Sequence, residues 1–297
     1  MSQFGKKFKD YFRNTNPLMV DLNFVMSFLI FVFEGGGIAC NTVQVYRSAL
    51  VDPLSVGYGI DFNDKRLKLL LKSMWLKKPN INSVEPKWNL DLVLNLVSSN
   101  VFNINISKEF LVMKCIFLLA MALGNRISEF HALLRGRDFI SFSRNFKSVT
   151  IIPNASFLAK NEGPLFRRSP MKIIAILNRD GSPHALCPVN TLRNYLDATR
   201  MYKGQKLFVN PETLAPCNKG RIVFYLRKLI RISQPSAYVK FHDCRILSSW
   251  QAFWSNMSWS NLRAKGFWKS NAALSNFYLR GSVPSQSACV ALGRWSH

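Results

Sequence analysis

Several polar residues of this 297-residue chain sit at places where a purely structural sequence would not need them. The string Gly124-Asn125-Arg126-Ile127-Ser128-Glu129 parts the apolar helical stretches 118–123 and 127–134. An arginine at a helix start in apolar surroundings calls for an anion, and Glu129, one turn on, is placed to hold it still. Taken alone, a salt bridge at a helix–helix junction is the simpler reading of that pair. His242-Asp243-Cys244-Arg245 opens a second helix. Its His242 and Arg245, three apart, share a face near an N-terminus whose backbone N–H groups also attract anions. A lone histidine–arginine pair at this spacing is common by chance. Tyr278 lies near the end of a helix rich in small residues, close to Arg280. A tyrosine there is more often a core or surface residue than a nucleophile. The chemistry open to the two arginine-bearing strings is capture of an anionic group.

The elements that must position these residues divide near residue 80. Residues 1–80 read as a small helical domain. Pro17 opens a helix whose apolar face includes Leu18, Val20, Phe24, Phe28 and Phe31, and the run Gly35-Gly36-Gly37 stops it. Asn41 caps a second helix over 42–50, ended by Pro53. Asn63 or Asp64 opens a third, with Leu67, Leu70, Leu71 and Met74 at helical spacing. Arg47, Lys65, Lys68, Lys72 and Lys77 are the candidates here for gripping phosphates, with solvated lysines on exposed faces as the alternative. Residues 77–87 hold Pro79 and Pro86 among Asn and Lys and read as a linker. Helices follow at 90–97 and 108–123, then a β signal at 149–152, 157–160 and 171–176 with turns at Pro153-Asn154 and Gly163-Pro164. Further helices are predicted at 189–200, 220–232, 244–254, 259–265 and 271–279. The fold class is therefore mainly α with a small antiparallel β-sheet, without repeats or low-complexity tracts.

Bulk composition narrows the partner. Hydrophobic residues make up 48% of the chain and charged ones 19%, which suits folded domains and not a disordered tail. The net charge is +24, from 40 basic against 16 acidic residues. Up to position 80 there are 11 basic against 6 acidic residues, and beyond it 29 against 10, so the excess is not confined to a detachable arm. Such a charge makes a fold repel itself and is best tolerated with a polyanion as working partner. An anionic membrane would also attract it, but the longest apolar runs, 24–33 and 115–123, fall far short of the roughly 20 residues a spanning helix needs. Residues 1–9 carry lysines without the apolar stretch and cleavage site of a signal peptide. The six cysteines are scattered with no CxxC pair, and the four histidines lie far apart. No metal site or cofactor is implied, and a reduced intracellular compartment is the simplest expectation.

Taken together, Arg126, Lys160, His242-x-x-Arg245, Trp268 and Tyr278 fall in the order and approximate spacing of the tyrosine recombinases. The chain resembles that family. Its local strings are closer still to the recombinases of DIRS-type and Ngaro-type retroelements and Crypton-like transposons. They are Asn125 to Phe130, Phe157-Leu158-Ala159-Lys160, Leu186-Cys187-Pro188-Val189 followed by Leu192-Arg193-x-Tyr195-Leu196, His242-Asp243-x-Arg245, and Trp268, Leu274 and Tyr278-Leu279. No single string is specific, but five blocks in order make coincidence improbable. The resemblance covers residues 4–280, including Tyr46-Arg47-Ser48-Ala49. It implies a helical DNA-clamp domain over 1–80, a catalytic domain over 81–280 and a C-terminal tail, 281–297, that is disordered or exchanged between subunits.

It also implies roles. The matching tyrosine, Tyr278, attacks a DNA phosphate and leaves a free 5′ hydroxyl, storing the bond energy as a phosphotyrosine. Arg126 and Arg245 meet the charge on the non-bridging oxygens, since guanidinium binds bidentately and stays protonated. Lys160, on the expected hairpin, protonates the leaving oxygen. His242 assists proton transfer or orients the phosphate. Trp268, where the family more often has histidine, donates one indole N–H but cannot shuttle protons. Glu129 supports Arg126. The implied partners are double-stranded DNA and further copies of the chain in a tetramer, in the nucleus. Competing readings are a catalytically inactive DNA-binding descendant and a type IB topoisomerase, which acts as a monomer. A basic RNA-binding module is more distant, since no aromatic–basic RNA signature occurs.

Overall fold

The computed structural model describes residues 3–13, 20–78, 85–99, 106–160, 162–163, 167–266, 268, 270–275 and 279. It divides into two compact units, Met1–Ser83 and Val84–His297.

In the first unit the described residues form α1 (Gln3–Arg13), α2 (Leu22–Glu34), α3 (Cys40–Tyr58) and α4 (Lys65–Lys77). Asp21 starts α2 by accepting the Phe24 N–H at 2.8 Å. The helix thus begins after Asp21, and Pro17, its expected opening, lies outside the described residues. Phe24, Val25, Phe28, Leu29, Val32 and Phe33 form its buried face, while Phe31 is half exposed beside the Tyr11 ring. The expected stop at Pro53 is overturned, because α3 runs on to Tyr58. Pro53 withholds one N–H from the helix, but Leu50 and Leu54 on either side are buried in the unit's core and hold the backbone helical. The stop comes at Gly59, whose φ of +66° closes the helix in the left-handed region. Asp64 caps α4 through the Arg66 N–H at 2.7 Å, and Leu67, Leu71 and Met74 pack inward.

The second unit is built around α6 (Lys108–Leu123), capped by Ser107 and buried on nearly all sides. A helix without a polar face belongs at the centre of a core. Around it lie α5 (Leu90–Ser98), α7 (Ile127–His131), α8 (Pro188–Ala198), α9 (Lys219–Ser233) and α10 (Phe241–Trp254). Pro188 sits in the first turn of α8, where its missing N–H costs nothing, and Asn218 caps α9 through the Arg221 N–H at 2.8 Å. A three-stranded antiparallel sheet runs in the order β1 (Ile140–Phe142), β2 (Ser148–Ile151), β3 (Met171–Ile174), with Val149 opposite Phe142 on one side and Ile173 on the other. The fold class is the expected one, but one strand is not. Residues 157–160 form no strand and lead into a turn at Lys160; Arg167 donates to the Phe157 carbonyl at 3.1 Å, an acceptor a ladder would use, and to the preceding Ala155 carbonyl at 2.9 Å. The third strand is instead the unpredicted β1. The unit continues through α11 (Trp259–Gly266) and α12 (Asn271–Leu274). The predicted helix over 271–279 is described only to Leu274 as α-helix, and Tyr278 lies outside the described residues.

Candidate active site

Gly124 ends α6 with φ +61° and turns the chain so that Asn125 and Arg126 enter α7. A side chain there would be strained by the positive φ, though its Cβ would meet the Ser248 hydroxyl at no closer than 3.4 Å, an ordinary contact. Glu129 sits in the first turn of α7 and is buried. Its carboxylate accepts the Arg126 backbone N–H at 2.8 Å and Arg126 Nη1 at 2.7 Å. Arg168 Nη2 lies 3.1 Å from its other side, and Arg245 Nη1 lies at 3.9 Å. Burial alone would raise the Glu129 carboxyl, but Arg168, the Arg126 contacts and Arg245 hold it below the usual carboxylate range. One carboxylate thus organises three guanidinium groups.

Helix α10 begins at Phe241, three residues earlier than its expected start, because Asp243 accepts the Lys240 N–H at 2.9 Å from inside the first turn. Asp243 also accepts the Trp88 indole N–H at 3.0 Å. Burial raises the Asp243 carboxyl, against the lowering by Lys240 and Trp88. The result is that His242 and Arg245 both stand in the opening turn. Arg245 is fully buried: Nη1 donates to the Gly124 carbonyl at 2.7 Å and Nη2 to the Gly266 carbonyl. Its guanidinium lies over the buried Trp268 ring, which packs with Ile246, Leu262 and Leu274. His242 is exposed on one side. The protein packed beneath it, together with the charges of Arg245, Arg126 and Lys240, pushes its imidazole down to about 4, so it is neutral near neutral pH.

The structure therefore brings Arg126, Glu129, His242, Arg245 and Trp268 into one centre. Arg126 keeps about a quarter of its side chain, 23%, open to solvent. Lys160 stands exposed in the turn after β2, outside the centre but joined to it. The join is Glu162, which accepts the Ala159 N–H at 2.8 Å and the Arg168 N–H at 3.0 Å. Arg168 and the Trp88–Asp243 pair escaped the sequence reading, since their side-chain partners lie far off in the chain, and Glu162, whose partners are near, bonds backbone N–H groups that no residue type marks. Beside the centre an open groove runs between β3 and α11, lined by Arg167, Lys172, Arg263, Lys265 and Trp268. Burial lowers the Lys265 ammonium. Among the described residues no group of His, Cys, Asp and Glu gathers as a metal site, and no helix is long and apolar enough to cross a membrane.

The five cations proposed to grip phosphates in the first unit fall into two sets. Lys65, Lys68 and Lys72 are exposed along α4. Arg47 donates to the Phe62 carbonyl at 2.7 Å, and Lys77 pairs with Glu34 at 2.9 Å.

No protein-family model matches the chain, and no curated protein matches it in sequence. Solved structures do match in fold. The XerH site-specific recombinase in its post-cleavage complex with palindromic difH substrate aligns with TM-score 0.62 at 15% identity, over 98% of this chain and 77% of that one. The Tn1549 transposon integrase in complex with transposon right end DNA gives 0.58 at 12% identity, over 99% and 94%. The lambda integrase tetramer bound to a Holliday junction gives 0.53 at 15% identity, over 93% and 72%. The fold is that of the tyrosine recombinases and integrases.

Proposed function

We propose that the chain cuts and rejoins DNA through a 3′-phosphotyrosyl intermediate at Tyr278, as the recombinase or integrase of a mobile element. The observation that carries this reading is the single centre formed by Arg126, Glu129, His242, Arg245 and Trp268 within a recombinase fold. The Tyr278 oxygen bonds to phosphorus while the bond from phosphorus to the 5′ oxygen breaks. Lys160 gives that oxygen its proton, and neutral His242 accepts the tyrosine proton or orients the phosphate. Arg126, open on one side, meets the non-bridging oxygens. Arg245, buried below, adds its charge through an interior where water screens little. The reverse sequence reseals the strand and regenerates tyrosine.

The strings shared with DIRS-type, Ngaro-type and Crypton-like recombinases support a eukaryotic mobile element, and with it a nuclear site of action. The buried free thiols of Cys40, Cys115, Cys187, Cys217 and Cys244 suit a reduced compartment. Joining two DNA sites calls for four copies on four strand ends, and the tetrameric lambda integrase supports that assembly here. The domain plan proposed is a DNA clamp over 1–80, catalysis over 81–280 and an exchanged tail over 281–297.

The test is covalent trapping. A randomised pool of nicked duplexes incubated with the full chain yields a protein–DNA band in denaturing gels, whose sequence then defines the site. Tyr278→Phe abolishes the band. A band of equal strength in that variant, or none from the wild type, overturns the reading.

A further inference from the structure

Resting on the strand-cleavage reading, we propose that Glu162 and Arg168 are positioning residues that hold Lys160, the donor to the leaving oxygen, in register with Arg126. Lys160 alone is poorly placed for a precise task. It is exposed, in a turn that replaces the expected strand, and no ladder of backbone hydrogen bonds runs through residues 157–160. A long lysine on such a turn carries about 2 kcal/mol of rotamer entropy, so its backbone must be fixed by something else.

The side chain of Glu162 supplies the anchor. It is only 5% exposed, and each of its carboxylate oxygens is occupied: Oε2 takes the Ala159 N–H at 2.8 Å, one residue before Lys160, and Oε1 takes the Arg168 N–H at 3.0 Å. The Glu162 N–H returns to the Ala159 carbonyl at 2.9 Å, closing the turn on itself. Charge-assisted bonds of this kind are roughly twice as strong as neutral ones.

Arg168 then carries the registration to the centre. Its backbone bonds Glu162, while its guanidinium, 9% exposed, lies 3.1 Å from Glu129 and donates to Asn125 Oδ1 at 2.8 Å. Glu129 in turn holds Arg126 at both its backbone and its guanidinium. The path from the leaving-group donor to the phosphate clamp is thus Ala159, Glu162, Arg168, Glu129 and Arg126, every step a hydrogen bond or close ion pair. A simple salt bridge on a loop would tie one end only. Here the same two residues bond the lysine turn and the α7 entry together.

The experiment separates placement of the proton donor from general loss of structure. A DNA strand whose bridging 5′ oxygen is replaced by sulfur leaves as a thiolate, which with a thiol pKa of about 8.5 needs no proton donor. Single-turnover adduct formation by the full chain is measured on the oxygen and sulfur versions of the trapped duplex. Lys160→Ala, the reference, falls about 10²-fold or more on oxygen, as loss of a general acid does, and recovers on sulfur. Glu162→Gln, which keeps shape but turns one acceptor into a donor, falls about tenfold on oxygen and returns to within about twofold of wild type on sulfur. Arg168→Lys, which keeps the charge on Glu129 but cannot fork to Asn125, shows the same split. Equal losses on both duplexes, or no loss on either, overturn the assignment. If Arg168→Lys does not fold, Glu162→Gln decides. A wild type that forms no adduct on either duplex overturns the strand-cleavage reading and this inference with it.

Discussion

The Arg245 guanidinium lies 4.5 Å from the centroid of the Trp268 ring, and both side chains are buried. A buried cation needs partners on every side, and here two backbone carbonyls take its edges while an aromatic face takes its plane. Trp268 is thus a wall for the arginine, whereas its donation to a phosphate is part of the proposed mechanism. The two roles come apart by substitution. Trp268→Phe keeps a ring under Arg245 and loses the indole N–H, so the melting temperature stays near wild type while the adduct rate falls about tenfold. Trp268→Ala also opens a cavity and costs about 3–5 kcal/mol in denaturant unfolding. Equal stability of the two variants would remove the wall.

Glycine at 266 follows from the same contact. A Cβ there would land inside the Trp268 indole, on the residue whose carbonyl receives Arg245. Gly266→Ala is expected to destabilise by about 1–3 kcal/mol and to abolish trapping, whereas alanine at Gly57, where a Cβ meets open space, leaves trapping unchanged.

His242 sets a pH dependence whose sign is fixed. Its folded value, about 4, lies below the ordinary value of 6.5, so protonation favours the unfolded chain. Stability is full above the ordinary value and declines as pH falls from there towards 4. His242→Gln flattens that window in urea titrations. A DNA phosphate entering beside Arg126 and Arg245 reverses the preference, so binding takes up a proton there. Calorimetry at about pH 5.5 in buffers of different ionisation enthalpy shows this uptake for wild type and not for His242→Gln. Buffer-independent heats would refute it.

Lys114 is a second buried cation, on the central helix, and burial pushes its ammonium down to about 8. Here too the folded value is depressed, so the charged lysine destabilises the fold below about 8 and stability rises with pH from there to 10.5. Lys114→Met is expected to gain about 1–3 kcal/mol at neutral pH and to remove the rise. A loss of stability at neutral pH would show that the ammonium is held by more than it costs to bury.

Phosphate gripping by the first unit is read from salt dependence. Lys65, Lys68 and Lys72 line the exposed side of α4, while Arg47 and Lys77 are engaged within the unit. Glutamine at each of the first three should lower the log–log slope of affinity against salt by roughly 0.9, and at Lys77 by less. Arg126→Ala should leave that slope nearly unchanged while cutting the adduct rate by about 10²–10³. Unchanged slopes for all three lysines would leave α4 without a DNA role.

What could be read in advance was local. Asp64 and the bounds of α6 follow from capping and apolar spacing within a few residues. Arg126 with Glu129, and His242 with Arg245, are legible because one helical turn separates them. The failures are those in which a distant partner decides. Pro53 stays helical because buried leucines hold it, and at residues 157–160 the Phe157 carbonyl is taken by Arg167, ten positions on, instead of by a neighbouring strand. Asp243 finds Trp88 across 155 positions, and Arg168 reaches Asn125 across 43, which no periodicity encodes.

The three guanidinium groups around the single carboxylate of Glu129 have one further consequence. Three guanidinium groups on one carboxylate make the centre a place that favours anions, so the native state gains free energy from any compact anion that binds there, in proportion to its occupancy. Sulfate or pyrophosphate should therefore act as a pharmacological chaperone of this fold, raising its melting temperature while competing with DNA. Buffer anions that make the protein easiest to purify would be those that most conceal its activity.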